Sequence, residues 1–197
     1  MSDVKSIVLI GVGGQGTILV SKILTHALME HGYDVKMSEV HGMAQRGGSV
    51  STQVRFGKKV HSPLIGEGTA DVLVAFEKME AARGLPQLKE DGILIANDYE
   101  IVPLPVAAGR LEYPDQILEA LNEKVKVISF DAAGTAEALG QVRAMNVVLL
   151  GALVEALNLT ELDVRKSVAE LVPPAYRDVN LKAFDAGRQL AKEHLHA

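Results

Sequence analysis

The 197-residue chain contains no cysteine. That absence excludes a disulfide framework, a thiolate zinc site and any cysteine-ligated iron–sulfur cluster held by this chain. If the protein takes part in electron transfer, another chain carries the cluster. Long apolar runs are missing too. The longest uncharged stretch in the C-terminal half, Ala144–Val154, lies between Arg143 and Glu155. It falls short of the roughly 20 apolar residues that cross a bilayer, and it reads as a buried helix. Nor does one sign of charge dominate: 20 basic and 25 acidic residues leave a net charge of −5, with no long run of either. A broad electrostatic footprint for nucleic acid is therefore absent. The opening "MSDVKS" runs into a strand without an apolar signal region, so a cytoplasmic location is expected.

What is present describes a globular chain, 48% hydrophobic and 23% charged. Its length suits one domain spanning 1–197 with a sizeable core. Short β-branched runs recur at Ile7–Ile10, Val35–Val40, Val50–Phe56, Asp71–Phe76, Gly92–Ala96 and Val125–Phe130. Several are too continuously apolar to have a wet face. Between them, Gln15–His31 carries Val20, Leu24 and Leu28 at four-residue spacing, with Ile23 and Ala27 beside them. Gly32 supplies the stop. A second helix is predicted over Met79–Leu88, shortened or broken by Gly84 and Pro86. A third is expected over Tyr113–Asn122, opened by Pro114. Helices are predicted over Thr135–Leu157, Glu161–Leu171 and Asn180–His194, with Pro173-Pro174 marking a turn. The alternation predicts an α/β fold: a Rossmann-like, doubly wound, mainly parallel sheet with a helical C-terminal part. Val50–Phe56 departs from that scheme and pairs as a hairpin with Val35–Val40.

Two glycine-rich segments carry the candidate chemistry. In "IVLIGVGGQGTILVSKIL" a strand meets a helix through Gly11-x-Gly13-x-x-Gly16, with Gly14 and Gln15 inside the turn. Backbone N–H groups exposed at a helix start favour a phosphate, and the spacing matches a dinucleotide fingerprint. A tight turn with no ligand produces the same spacing. Glu39, 23 residues after Gly16, stands where a ribose-binding acid is expected. The second segment, "VHGMAQRGGSVSTQVR", is one that a plain dinucleotide domain does not require. Arg46, Gly47, Gly48 and Ser49, with Ser51 and Thr52 behind them, bring a guanidinium, free amides and hydroxyls to one loop. That group suits a phosphate or carboxylate, with His41 as a hydrogen-bonding or proton-donating neighbour. Support of a surface loop, or contact with another subunit, accounts for the same residues equally well.

Other polar positions read as structural. Asn97-Asp98 and Asp131 end strands, the first as turn chemistry and the second as a helix cap. The histidines at 26, 31, 61, 194 and 196 show no metal-ligand spacing with a carboxylate partner, so no metal site is expected.

With these residues in view, the chain resembles the gamma-type subunit of the 2-oxoacid:ferredoxin oxidoreductases, and within them the indolepyruvate type. The resemblance runs from Ile7 to about Leu190. It rests on "GVGGQG", "SEVHGMAQRGGSVSTQVR", "ADVLVAFEKMEAAR", the Asn-x4-Gly-Ala of Asn146–Ala152 and "NLKAFDAG". It implies a complex that converts an aryl pyruvate and coenzyme A to aryl-acetyl-CoA, CO2 and reduced ferredoxin. A larger alpha subunit would hold thiamine diphosphate, magnesium and 4Fe-4S clusters. This chain would hold no cofactor alone, be inactive alone, and help form the coenzyme A site through Gly11, Gly13, Gly14, Gln15 and Gly16, with Arg46, Gly47, Gly48 and Ser49 at the subunit junction. The absence of cysteine, and an isolated Asp91-Gly92 in place of a thiamine diphosphate–magnesium motif, agree with that role. Three alternatives stay open: a subunit for pyruvate or branched-chain oxoacids, a free-standing NAD- or FAD-dependent oxidoreductase, and an assembly module that binds only protein.

Overall fold

The computed structural model describes residues 4–41 and 48–196. Six strands form one sheet: β1 (Lys5–Val12), β2 (Asp34–His41), β3 (Ser49–Gly57), β4 (Ala70–Ala75), β5 (Leu88–Asn97) and β6 (Lys126–Phe130), in the order β2-β3-β1-β4-β5-β6. β1, β4, β5 and β6 are parallel neighbours, and β3 runs against both β2 and β1. The predicted hairpin is present, with Asp34 opposite Gly57 and His41 opposite Val50. Its second strand, however, lies between its first and β1. Pairing on both edges explains why Thr52–Val54 is buried although polar residues stand among its apolar ones.

Both faces of the sheet are covered, as the continuous apolar strands require. On one face Ile7 and Leu9 of β1 pack with α1 (Thr17–Glu30), whose stripe Val20, Ile23, Leu24, Ala27 and Leu28 is buried as its spacing predicts. On the other face Val8 and Ile10 pack under α2 (Lys78–Gly84) and α4 (Ile117–Asn122). α2 ends at Gly84 and passes into a 3-10 turn over Leu85–Gln87, the break that Gly84 and Pro86 predict. α3 (Leu104–Ala107) is a single turn between them. α4 opens not at Pro114 but at Ile117, because Gln116 takes a left-handed conformation (φ 57°) just before it.

The helical C-terminal part differs from the predicted single helix over Thr135–Leu157. The backbone turns at Gly140 (φ 94°), splitting it into α5 (Ala132–Ala138) and α6 (Met145–Ala156). Asp131 caps α5 as expected, accepting from the Gly134 amide at 2.7 Å. α7 (Val164–Leu171) starts later than its apolar pattern suggests because Asp163 accepts from the Lys166 amide and sets the N-terminus there. α8 (Arg177–His196) starts earlier, directly after a 3-10 turn at Pro174–Tyr176. α6 is buried along almost its whole length, with α8 against it. Two glycines permit the approach. A Cβ on Gly187 would lie 1.8 Å from the Val148 carbonyl oxygen, and one on Gly151 would lie 2.1 Å from that of Phe184.

Candidate functional site

The parallel strands end on one edge of the sheet, where β1 and β4 lead to connections running in opposite directions. Ligands of open α/β sheets bind at such a switch point. Here the glycine turn leaves β1, and Gly14 (φ 105°) and Gly16 (φ 83°) both adopt conformations that side chains resist. Gly16 is the N-cap of α1 and no side chain caps that helix. Among the described residues no side chain caps the first amides, those of Thr17 and Ile18, while Leu19 donates to the Gly16 carbonyl at 3.1 Å.

Gln15 is turned inward. Its Oε1 accepts from the Val12 amide at 2.7 Å and its Nε2 donates to the Phe76 carbonyl at 2.9 Å. Asn97, fully buried, donates to the same carbonyl and accepts from the Ala132 amide. The carboxamides of Gln15 and Asn97 thus brace the ends of β1, β4 and β5 from within. Gln15 shapes the turn with its side chain, leaving Gly13, Gly14 and Gly16 to present backbone. Gly11 is buried against Gln15 and Phe76, and a Cβ there would lie 2.8 Å from Gln15 Oε1.

The second glycine segment meets the first at Gly48, whose carbonyl accepts from the Gly13 amide at 2.9 Å. Next to it, Ser49 donates to Glu80 Oε2 at 2.5 Å, and Arg83 pairs with the other oxygen of that carboxylate. Ser49 is therefore engaged by α2. Arg46, Gly47 and the side chain of His41 lie outside the described residues.

Two cavities flank the turn, and both include Gly14 and Gly16 in their walls. The smaller, about 300 Å3, has Glu39, Val50 and Thr52 on its far side. Glu39, near the end of β2, thus stands beside the glycine turn. The larger, about 520 Å3, is closed by Arg143, Asn146, Tyr176 and Asn180. Of these, Asn146 and Asn180 belong to motifs noted in the sequence, yet nothing local ties a C-terminal helix to the first turn of the fold. The link is Asn146 Nδ2, which donates to the Gly16 carbonyl at 3.4 Å.

Sequence reading also passed over Glu77 and Glu80, each 1% exposed. Glu77 accepts from the Glu80 amide at 3.0 Å, the Ile101 amide at 3.3 Å and the Tyr113 hydroxyl. It pins the 98–113 connection onto α2. Burial, then the adjoining Glu77 carboxylate, pushes the Tyr113 hydroxyl far above the ordinary phenol range. The one signal for this pair is that acids in "FEKME" directly follow a buried strand.

One expectation about histidine is corrected. Glu30 lies one helical turn after His26, and Glu170 joins them, so three ligand atoms come within 4.8 Å of one another. Sequence spacing missed the group because Glu170 comes from α7. Lys166 already faces both carboxylates, 2.9 Å from Glu30 and 3.8 Å from Glu170. Asp91-Gly92, the one pair reminiscent of a thiamine diphosphate motif, lies within β5, where Asp91 is exposed and paired with Lys89 at 3.2 Å. With Gly92 packed against Leu88, that stretch does not fit a magnesium–diphosphate loop. Among the described residues no helix is long and apolar enough to cross a membrane.

A Rossmann-like sheet with an uncapped glycine turn, an inserted antiparallel strand and a packed pair of C-terminal helices defines a class, and the comparisons agree. The chain belongs to the pyruvate ferredoxin/flavodoxin oxidoreductase family, whose pattern matches residues 6–190. It is 41% identical over 197 residues to the indolepyruvate oxidoreductase subunit IorB of Pyrococcus horikoshii, covering 97% of this chain and 98% of that one. Among solved structures, the gamma subunit of a keto/oxoacid ferredoxin oxidoreductase from Geobacter sulfurreducens superposes with a TM-score of 0.76 at 24% identity, covering 98% of this chain and 99% of that one. The 2-oxoglutarate:ferredoxin oxidoreductase of Magnetococcus marinus, solved with 2-oxoglutarate, coenzyme A and succinyl-CoA bound, gives 0.75 at 24% identity, covering 98% of this chain and 32% of that one. The chain is thus a small subunit of the 2-oxoacid oxidoreductase class, with indolepyruvate oxidoreductase subunits among its relatives.

Proposed function

We propose that the chain is the non-cluster subunit of a complex that oxidatively decarboxylates indolepyruvate and related aryl pyruvates. CO2 leaves, an electron pair passes to ferredoxin, and the acyl group ends on the thiol of coenzyme A. Thiamine diphosphate, magnesium and iron–sulfur clusters belong to the larger subunit. The sequence has no cysteine to ligate such clusters. Its own contribution is binding: it holds and orients the thiol carrier and excludes water at the junction, which lowers the entropic part of the barrier.

The observation that carries this reading is the uncapped glycine turn opening onto both cavities, which suits the phosphates of coenzyme A. Gly14 offers a clean test. A Cβ there meets nothing within 4 Å, yet φ is 105°. Gly14→Ala therefore disturbs the backbone path without a clash. In the complex assembled with the larger subunit, the variant is expected to raise the Michaelis constant for coenzyme A well beyond that for the oxoacid. Equal effects on the two substrates would point to a general folding defect and defeat the reading.

Glu39 favours one rival. An acid beside a glycine turn is how dinucleotide enzymes hold a ribose diol, so a free-standing NAD- or FAD-dependent oxidoreductase would use the same cavity. Nicotinamide or flavin binding by the isolated chain decides between the two.

A further inference from the structure

A third cavity opens at the far end of the sheet from the glycine turn, where β1 begins and β3 ends. Lys5 stands opposite Phe56 across that strand pair, so both side chains leave the same face. Phe56 is buried, and Tyr33, just before β2, meets it edge-on with ring centroids 5.3 Å apart at 77°. Leu157 and Leu159, from the connection between α6 and α7, complete the apolar wall. The cavity measures about 350 Å3, within the roughly 300–1,000 Å3 usual for small-molecule sites. Charges of both signs stand at its edge: Lys5 and Lys58 at the strand ends, and Glu161 on the α6–α7 connection. Lys5 lies 3.3 Å from Asp71, which also takes Lys89 at 3.1 Å, so Asp71 keeps a cation when Lys5 turns to another anion. Glu161 is exposed and makes no ion pair among the described residues.

An aromatic and aliphatic wall edged by two ammonium groups and one carboxylate suits a ligand that is aromatic at one end and zwitterionic at the other. We propose that this cavity binds an aromatic α-amino acid. The ligand's ring packs against Tyr33 and the two leucines over Phe56, its carboxylate pairs with Lys5 and Lys58, and its ammonium pairs with Glu161. An aryl acid without the amine sets its carboxylate beside Glu161 with nothing to offset the repulsion. An aryl amine leaves the lysines unused, and an aliphatic amino acid forfeits the ring contact. Lysine stems lying over aromatic rings explain Lys5 and Lys58 alone, but they give Glu161 no part. Resting on the function proposed above, such an amino acid is the substrate's counterpart with an amine in place of the keto oxygen, so the cavity reads the level of the compound from which transamination supplies the oxoacid.

Equilibrium dialysis with the full chain on its own tests the assignment, because the larger subunit's oxoacid site is then absent. The probes are tryptophan, indole-3-propionate without the ammonium, tryptamine without the carboxylate, and alanine without the ring. Tryptophan is expected to bind saturably, and each analogue at least about fivefold more weakly. Glu161→Gln keeps the side chain's size at an exposed position. Loss of its charge-assisted contact predicts about a tenfold weaker dissociation constant for tryptophan, with less than about a twofold change for indole-3-propionate. Glu161→Asp restores part of the loss, because it keeps the charge. The proposal is overturned if tryptophan shows no saturable binding, if indole-3-propionate binds as tightly, or if Glu161→Gln leaves the tryptophan constant unchanged. Indolepyruvate turnover by the assembled complex is measured apart. Tryptophan binding without that turnover removes the oxidoreductase reading alone, and turnover without tryptophan binding removes this proposal alone.

Discussion

Gly187→Ala is the most searching test of the fold. The added Cβ would sit 1.8 Å from the Val148 carbonyl oxygen, less than the usual contact by more than about 1 Å, against a backbone atom that no rotamer change can move away. α8 must therefore shift off α6, a helix buried from Asn146 to Val154 in the main core. Overpacking of this kind costs about 3 kcal/mol, and the better helix propensity of alanine offsets about 1 kcal/mol, leaving a net loss of roughly 2 kcal/mol. For a chain of this length that is a fall in Tm of roughly 4–8 °C. Thermal unfolding followed by far-ultraviolet circular dichroism reads it directly, with Gly151→Ala, 2.1 Å from the Phe184 carbonyl oxygen, as the reciprocal variant. An unchanged or raised Tm in Gly187→Ala would show that the helices have room between them and that the close approach is wrong.

Two further perturbations address buried and paired carboxylates. Glu77→Gln keeps the side chain's size but points an amide donor at one of three existing donors, so a loss of about 2 kcal/mol is expected, against about 1 kcal/mol for Tyr113→Phe, which leaves both backbone donors served; equal losses by urea unfolding would refute that ranking. At Asp71, burial works to raise the carboxyl pKa, but the Ser6 amide and the ammonium groups of Lys89 and Lys5 outweigh it and hold it below its ordinary 3.8. A depressed folded value means the stabilisation is present above pH 3.8 and is lost as pH falls through the folded pKa. Asp71→Asn is thus predicted to cost about 1 kcal/mol at neutral pH, discounted for the exposure of Lys5. The difference from wild type should vanish in acid, and a difference that persists undiminished there would contradict the assignment.

Much of the sheet is legible in the sequence because its strands are short apolar runs whose pattern is local. All six appear, most extended by a residue or more, and the β2–β3 hairpin follows from proximity. What is not local is less readable. The position of β3 between β2 and β1 is a pairing choice made across the chain. Gly140 reads as a tolerable helix interior until the need to bring α6 under the sheet sets its backbone. At the site, the glycine turn and Glu39 are visible as motifs, whereas Gln15 looks like a ligand contact until Phe76, 61 residues away, claims its amide. Arg143 and Asn146 give no sequence signal of a site, since only folding carries them to Gly16.

The proposed function puts the glycine turn on a coenzyme A surface of the assembled oxidoreductase. Amide hydrogen exchange of the complex with and without coenzyme A reads this, because the uncapped first-turn amides of α1 at Thr17 and Ile18, together with that of Gly14, are the atoms the ligand would cover. Slowed exchange is expected in the peptide spanning 13–18 and in that spanning 141–146 when coenzyme A is added, and no such change on adding the oxoacid alone. Unchanged exchange in both peptides at saturating coenzyme A would contradict it.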